Sequence, residues 1–284
     1  MAGRITSLGI GMLAALAVGA VRAEGLSDFV RGQASLAFES KVLSYGLPDS
    51  DDPNLLPQGS LTFFDFLTAG GKFYVDLTDI GTHMGRGDRR WDFWEVDFPT
   101  EVRHAFSPDE QSWLPTAVEV GAGYRYEYHP PRSEIDDTQF AVADVSLPDL
   151  WLVPCLSYER DFIRDNGTYL NLCLGHSFAI LENVDLTASV AQGWGDEKRV
   201  KGYLPAADLV RRLDTPGLMD TMFRLGLSWQ ILEDLTLTGF VAYSDFLFDR
   251  KIRDASRNYI RQSDGTTRTH SWTFPCGLAV TYAF

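Results

Sequence analysis

From Gln33 to the end of the chain, apolar and polar residues alternate with period two, and apolar residues almost nowhere recur at helical spacing. The last segment shows this alternation most clearly, because large apolar residues share one face and small residues share the other. The large ones are Trp272, Phe274, Cys276, Leu278, Val280, Tyr282 and Phe284. Residues 117–128, 184–195 and 220–231 repeat the pattern. The chain is therefore predicted to consist almost entirely of strands and turns.

The alternating segments predict about twelve strands, within a range of about 10 to 14. They are residues 33–45, 57–65, 69–78, 91–98, 117–128, 139–147, 150–161, 168–180, 184–195, 220–231, 235–246 and 272–284. Their connectors are alternately short and long, as in bacterial single-chain barrels, whose short turns are periplasmic. The short set is 64–68, 148–149, 181–183 and 232–234, and the long set is 47–56, 79–90, 129–138, 196–219 and 247–271. Two connectors depart from this rule, since 99–116 is long and 163–167 is short.

The composition of the second face decides what kind of β protein this is. In a soluble sandwich the outward face carries long charged side chains, but here Gly, Ala, Ser and Thr predominate, with isolated charges. A barrel in lipid has the inverse arrangement, because its apolar face points outward and every backbone group is paired between strands. We therefore predict an all-β fold, a closed antiparallel transmembrane β-barrel.

Aromatic residues on the predicted outward face fall near the two ends of the strands. Near the long loops are Tyr126, Tyr158, Trp194, Tyr243 and Trp272, and near the short turns are Trp229, Phe178 and Phe284. Amphipathic rings prefer the two bilayer interfaces, so these residues are predicted to form two aromatic girdles.

The predicted inward face carries more acidic than basic side chains. The acidic ones are Glu39, Asp76, Glu95, Asp97, Glu119, Glu127, Asp144, Glu159 and Asp185, and the basic ones are Lys41, Lys72, Arg125 and Arg224. An acidic wall favours cations. Alternatively, these charges pair with one another and close the bore, and inward Phe64, Tyr74 and Trp151 favour that reading.

Charge and the first residues of the chain indicate where it functions. The 284 residues include 39 acidic and 25 basic side chains, a net charge of -14 that repels nucleic acids. The apolar run 5–21 follows Arg4 and ends at Val21-Arg22-Ala23, which predicts a signal peptide over 1–23 and a barrel domain over 24–284.

The export signal, the alternating strands and the terminal Thr281-Tyr282-Ala283-Phe284 resemble those of Gram-negative outer-membrane β-barrel proteins. The resemblance implies a location among outer-membrane lipids and lipopolysaccharide, and recognition of the last strand by the barrel assembly machinery. Porins, barrel enzymes and adhesins share these features, so the resemblance does not select a function. A narrow, porin-like channel for small hydrophilic solutes is the first hypothesis, because about twelve strands leave a bore wider than that of eight.

Recognition through the long loops is the second hypothesis, as in a structural or adhesive barrel that binds lipopolysaccharide or other external ligands. The last long loop is basic through Arg250, Lys251, Arg253, Arg257, Arg261 and Arg268. These residues could bind lipopolysaccharide phosphates, fold into the mouth as a constriction, or remain solvated. Residues 49–52 lack the full ligand pattern of a calcium loop.

A membrane-embedded lipid hydrolase is the third hypothesis. Outer-membrane phospholipase A is similar in length and strand number, but here His176 and Ser177 point to opposite faces and the following serine-asparagine-glycine run is absent. The other histidines, among them His129, show no metal-ligand spacing, so neither catalysis nor a cofactor is predicted. Core packing is the default role of the three cysteines, but a hairpin centred near Arg164 would place Cys155 opposite Cys173 on the same face of adjacent strands, where a disulfide is possible.

Overall fold

The computed structural model describes residues 29–45, 47–50, 53–77, 93–108, 116–130, 136–203, 215–254, 256 and 271–284. The predicted signal peptide, 1–23, lies outside these residues. Among the helices of the described part, none has the length and apolar character needed to cross a bilayer.

Twelve antiparallel strands close into a barrel, which confirms the predicted fold class and strand number. In chain order the elements are β1 (Val30–Glu39), β2 (Val42–Ser44), β3 (Leu47–Ser50), β4 (Asn54–Phe63), β5 (Leu67–Asp76), β6 (Phe93–Phe106), β7 (Val118–Tyr128), β8 (Thr138–Ser146), β9 (Val153–Asp161), β10 (Thr168–Leu181), β11 (Val184–Gly195), α1 (Glu197–Tyr203), β12 (Gly217–Leu232), β13 (Leu235–Asp245) and β14 (Cys276–Ala283). Strand β1 pairs with β4 on one side and with β14 on the other, which closes the wall, whereas β2 and β3 form a separate hairpin.

The sequence placed the end of the first strand wrongly. The predicted strand 33–45 ends at Glu39, and Val42–Ser44 turns back as one arm of the small hairpin. The reason is burial: Val42 packs against Leu56, Tyr74 and Trp94 in an apolar cluster inside the barrel. Lys41, predicted to line the lumen, consequently lies between β1 and β2 rather than on a barrel strand.

The predicted long connector 99–116 was also wrong, because β6 continues to Phe106 and pairs with β7 from Val96↔Tyr128 to Phe106↔Val118. Arg103 on this strand makes ion pairs with Glu101 beside it and with the inward residues Glu119 of β7 and Asp144 of β8. A polar stretch that looked like a loop is therefore a strand with charges on its inner face. The last strand begins at Cys276 and not at 272, and Thr273 only bridges to Ser244.

The two ends of the barrel differ in their connections. Turns of 64–66, 182–183 and 233–234 join strands at one end, hereafter the short-turn end, together with 147–152 and 107–117. The other, loop-rich end carries the β2–β3 hairpin, the segment containing α1 and the connection between β13 and β14. The connector between β9 and β10 is short there, as the sequence predicts.

The outer wall is apolar and exposed along the strands. Its members include Leu36, Phe38, Leu156, Leu172, Ile180, Phe223, Leu225, Leu227, Val241, Leu278 and Val280. Exposing such a surface to water would cost about 25 cal/mol per Å², whereas acyl chains accept it. The outer wall is thus that of a barrel that crosses a membrane.

Aromatic side chains flank this apolar band at both ends. Near the loop-rich end, Tyr126 stacks on Phe98 at 6.3 Å and Tyr243 lies 5.1 Å from Phe274. Tyr158 and Trp272 are exposed at the same end, and Trp194 is the penultimate residue of β11. At the short-turn end Trp229 and Phe178 are exposed and Phe284 stacks on Tyr282 at 6.1 Å.

Candidate functional site in the barrel interior

The inner wall has two unlike halves. Strands β5 to β9 carry most of the inward charges, whereas β10 to β14 present mainly Gly, Ala, Ser and Thr. The charged exceptions on the second half include Asp185, Asp220 and Arg224. The interior is therefore a polar space with one charged side.

Helix α1 folds into the loop-rich end of the barrel. Asp196 caps it, because its Oδ1 accepts the backbone N–H of Arg199 at 2.8 Å. The side chain of Arg199 is 2% exposed; its Nη1 lies 3.1 Å from Asp165 Oδ2 and its Nη2 lies 3.6 Å from Glu159 Oε1. Burial raises the pKa of the Asp165 carboxyl, although the Arg199 guanidinium acts in the opposite direction. These ion pairs hold the helix across the mouth.

Aromatic rings complete this constriction. The guanidinium of Arg199 lies 4.6 Å from the ring centroid of Tyr45, which reaches in from the first loop. Tyr45 packs edge-on against Tyr169 at 4.6 Å and donates its hydroxyl hydrogen to Glu159. Tyr45 and Arg199, which are distant in sequence, therefore both contact the carboxylate of Glu159 on β9.

Three of the predicted lumen residues meet just below α1. Arg125 Nη2 lies 2.7 Å from Glu159 Oε2 and 3.1 Å from Glu127 Oε1. Its guanidinium also covers the ring of Phe140 at 4.4 Å, and that ring is 1% exposed. The arrangement is a packed layer of ion pairs rather than an open passage.

A second group of side chains at this end includes possible metal ligands. Glu95, Glu127 and His129 each offer one ligand atom, these atoms lie within 4.8 Å of one another, and all three residues are buried. Two carboxylates and an imidazole suit Zn²⁺ or a similar ion. However, Arg125 and Arg164 lie 3.1 and 3.7 Å from the two oxygens of Glu127. These cations already balance the carboxylates, which disfavours a further divalent charge.

At mid-height the interior opens into a cavity of about 170 Å³. Its charged lining consists of Glu39, Lys72 and Arg224, three residues that the sequence predicted to face inward. Lys72 Nζ lies 4.5 Å from the ring centroid of Tyr74, and the Arg224 guanidinium lies 4.0 Å from that of Phe240. The space is wide enough for several water molecules and is bounded by charges of both signs.

The short-turn end holds a different, solvated cluster. Arg103 lies 2.6 Å from Glu101, 2.9 Å from Asp144 and 3.8 Å from Glu119. Its side chain is 45% exposed, against 2% for Arg199 at the opposite end. Three carboxylates surround one guanidinium, so this cluster is net negative. We call it the acidic vestibule.

Three further carboxylates that were predicted to line the lumen, and the aromatic residues that were predicted to point inward, lie at different levels of the barrel. Asp76 ends β5 at the loop-rich end, Asp97 accepts the Tyr74 hydroxyl at 3.0 Å, and Asp185 is exposed at the start of β11. The inward position predicted for Trp151 was wrong, because it lies in the turn before β9 and its ring contacts His176 on the outer wall at 5.0 Å. Phe64 likewise lies in a turn and is exposed.

Sequence reasoning missed several members of these clusters. Glu101 and Arg103 were assigned to a connector, and His129, Arg164 and Arg199 follow or precede strands where no alternation exists. Only the polarity of these segments could have signalled them.

The predicted basic loop is described in part. Arg250 lies 3.8 Å from Asp254, Lys251 is exposed and Arg253 is half-buried. Arg257, Arg261 and Arg268 lie outside the described residues.

The side chains of His176 and Ser177, the two residues considered for lipid hydrolysis, point to opposite faces of β10 and do not contact each other. His176 faces outward between Trp151 and Phe178, at ring distances of 5.0 and 4.5 Å, and contacts the Trp151 carbonyl. Ser177 points to the opposite face of β10.

The fold and interior define the class of protein as a closed, membrane-crossing β-barrel with a charged interior. No family model matches the chain, and no curated protein matches its sequence. Solved structures that it resembles include the NanC porin, at 11% identity over 88% of this chain and 98% of the porin, with a TM-score of 0.49. An outer-membrane channel from Pseudomonas putida F1 is 10% identical over 90% and 96%, with a TM-score of 0.47. The KdgM porin in complex with disordered oligogalacturonate is 8% identical over 89% and 99%, with a TM-score of 0.46.

Proposed function

We propose that this chain is a narrow channel of the Gram-negative outer membrane that passes small hydrophilic solutes. The short-turn end would face the periplasm and the loop-rich end the outside, following the asymmetry of bacterial barrels. The observation that carries the proposal is the cavity at mid-height, lined by Glu39, Lys72 and Arg224. A barrel with a purely structural interior gains nothing from a charged space at mid-height that holds several water molecules, whereas a solute path requires one.

The exposure of the interior charges supports a path that is wide at one end and constricted at the other. Arg103 in the acidic vestibule contacts water freely, whereas Arg199 beneath the outer loops does not. In this proposal α1 and Tyr45 set the constriction, and conduction depends on how far α1 moves aside. We expect the channel to favour cations, because the acidic vestibule at its periplasmic end carries three carboxylates and one guanidinium.

The test is single-channel conductance of the purified protein in planar bilayers under a salt gradient. We expect discrete conductance steps and a reversal potential on the cation-selective side. Glu119→Gln combined with Asp144→Asn should shift that potential toward zero, because it removes two of the three vestibule carboxylates.

Arg224→Gln is the matched control of opposite sign. It removes a positive charge from the mid-height cavity and should increase cation selectivity. Glu127→Gln is unsuitable for this purpose, since Glu127 is buried in the Arg125 ion pairs and its loss would disturb folding. Absence of conductance from correctly folded protein would exclude the channel, and unchanged selectivity in the vestibule variant would exclude the acidic path.

The proposal also specifies partners. Acyl chains would contact the outer wall, the barrel assembly machinery would receive β14, and lipopolysaccharide phosphates would meet the exposed Arg250 and Lys251 of the last loop. Binding of lipopolysaccharide to vesicles that contain the protein should weaken when both residues are changed to Gln, while conductance steps remain.

A further inference from the structure

We propose that Cys155 and Cys173 are joined by a disulfide that links β9 to β10 on the inner wall. The inference goes beyond channel activity and needs only the exported location in the proposed function, because disulfides form in the oxidising periplasm and not in the cytoplasm. In the structure both residues are free thiols.

The pairing of the strands places the two thiols together. Cys155 and Cys173 are direct register partners, between the pairs Leu156↔Leu172 and Pro154↔Leu174. Directly opposite residues have Cα atoms about 4.5–5.5 Å apart and side chains on the same face, within the range of about 4.4–6.8 Å that a disulfide spans. The bond therefore requires rotation of two side chains and no change of register.

Their position allows oxidation from the proposed periplasmic side. Cys155 is the third residue of β9, and its register partner on the other side is Ser146, the last residue of β8. Both thiols are half-buried and lie at the level of the acidic vestibule, which is open to water. The third cysteine, Cys276, is exposed on the outer wall at the first position of β14. It is not adjacent to Cys155 or Cys173, since β14 does not pair with β9 or β10.

The chemistry is thiol–disulfide exchange with the disulfide of a periplasmic oxidoreductase. The thiolate of one cysteine attacks that disulfide and forms a mixed disulfide, and the second thiolate then attacks the bound sulfur. One S–S bond forms in the barrel, and the oxidoreductase leaves as a dithiol. Two electrons and two protons have then left Cys155 and Cys173.

The experiment uses the full chain, extracted from outer membranes under acid quench and digested with trypsin without reductant. Trypsin cuts after Arg160 and Arg164 and so separates the cysteines into peptides 133–160 and 165–198. We expect a linked pair lighter by two hydrogen atoms than the sum of the two peptides, which disappears on reduction. Maleimide added to unfolded, unreduced protein should label Cys276 alone.

Variants separate the disulfide from accidental oxidation. Cys155→Ser should abolish the linked peptides and make Cys173 reactive to maleimide, and Cys276→Ser should leave the linked peptides unchanged. Folding of each variant is checked by heat-modifiable migration on gels. Wild-type protein from an oxidising periplasm that labels at all three cysteines would overturn the proposal. A barrel that carries the disulfide but does not conduct would refute the channel and leave this inference intact.

Discussion

The two arginines Arg199 and Arg103 show how the same side chain acts differently at the two ends of one barrel. Arg199 is enclosed with Glu159 and Asp165, so its removal would take the paired guanidinium from the buried Asp165 and leave Glu159 paired with Arg125 alone. Arg103 shares its carboxylates with water. Losing one partner of a buried ion pair is far more costly than losing a solvated one, because water can replace the lost charge only in the second case.

We therefore expect Arg199→Met to destabilise the barrel by about 3–5 kcal/mol. Arg103→Met, the matched control, should cost about 0–1 kcal/mol. Urea unfolding in lipid vesicles, followed by tryptophan fluorescence, measures both. Equal losses of unfolding free energy in the two variants would mean that Arg199 is as solvated as Arg103.

Which interior residues the sequence could predict depended on whether they lie on a regular strand. Period-two alternation places Arg125, Glu127 and Glu159 on one face, and their contacts follow from that parity. Tyr45 and His129 follow strand ends and Arg199 lies on α1, where tertiary packing sets the direction of the side chains and no period-two signal exists. The constriction was therefore outside the reach of pattern analysis.

Among the elements, α1 packs backbone to backbone against a connector of the barrel wall. Gly167, in the short connector between β9 and β10, lies against its first turn: a Cβ there would be 2.4 Å from the backbone N of Arg199 and 2.6 Å from its Cα. Backbone atoms cannot rotate away as a side-chain end can. The glycine thus allows the helix to sit in the mouth.

Gly167→Ala should displace α1 outward and raise the single-channel conductance above that of the wild type, because a packed backbone contact cannot absorb added volume. Gly239→Ala is the control, since its Cβ would meet Leu278 at an ordinary 3.6 Å and lies far from the mouth. Planar-bilayer recordings compare the two. A Gly167→Ala channel identical to wild type would show that α1 does not limit the flow.

Element boundaries were predictable for strands with regular alternation and failed most clearly at β6. Strands β10, β11 and β12 closely match the predicted 168–180, 184–195 and 220–231. Strand β6 was cut short because Pro99, Glu101 and Arg103 look like a connector, although the pairing with β7 runs straight through them. A charge on the inner wall and a charge in a loop give the same local sequence signal.

At the scale of the whole molecule, the exposed apolar wall determines the solvent in which the chain can fold. Leu225 lies at mid-height on β12, between Ala188 and Val241, and Leu232 ends the same strand at the short-turn end. Both point outward and are exposed. In a bilayer, Leu225 would therefore lie near the midplane and Leu232 near the interface, although both belong to the same exposed outer wall.

Leu225→Arg should cost about 2–4 kcal/mol and Leu232→Arg about 0–1 kcal/mol, because the penalty for a charge on the lipid face is largest at the bilayer midplane. Reversible urea titrations in phosphatidylcholine vesicles give both values. A soluble protein would show no dependence on depth, and equal penalties would contradict the membrane position of the wall.

The unequal halves of the inner wall affect how a solute would travel. With β5 to β9 charged and β10 to β14 mostly neutral, the electric field in the bore has a component across the path as well as along it. A molecule with separated charges would turn to align with that component before it advanced. Two isomers of equal size that differ only in where they carry an ammonium group should consequently permeate at different rates.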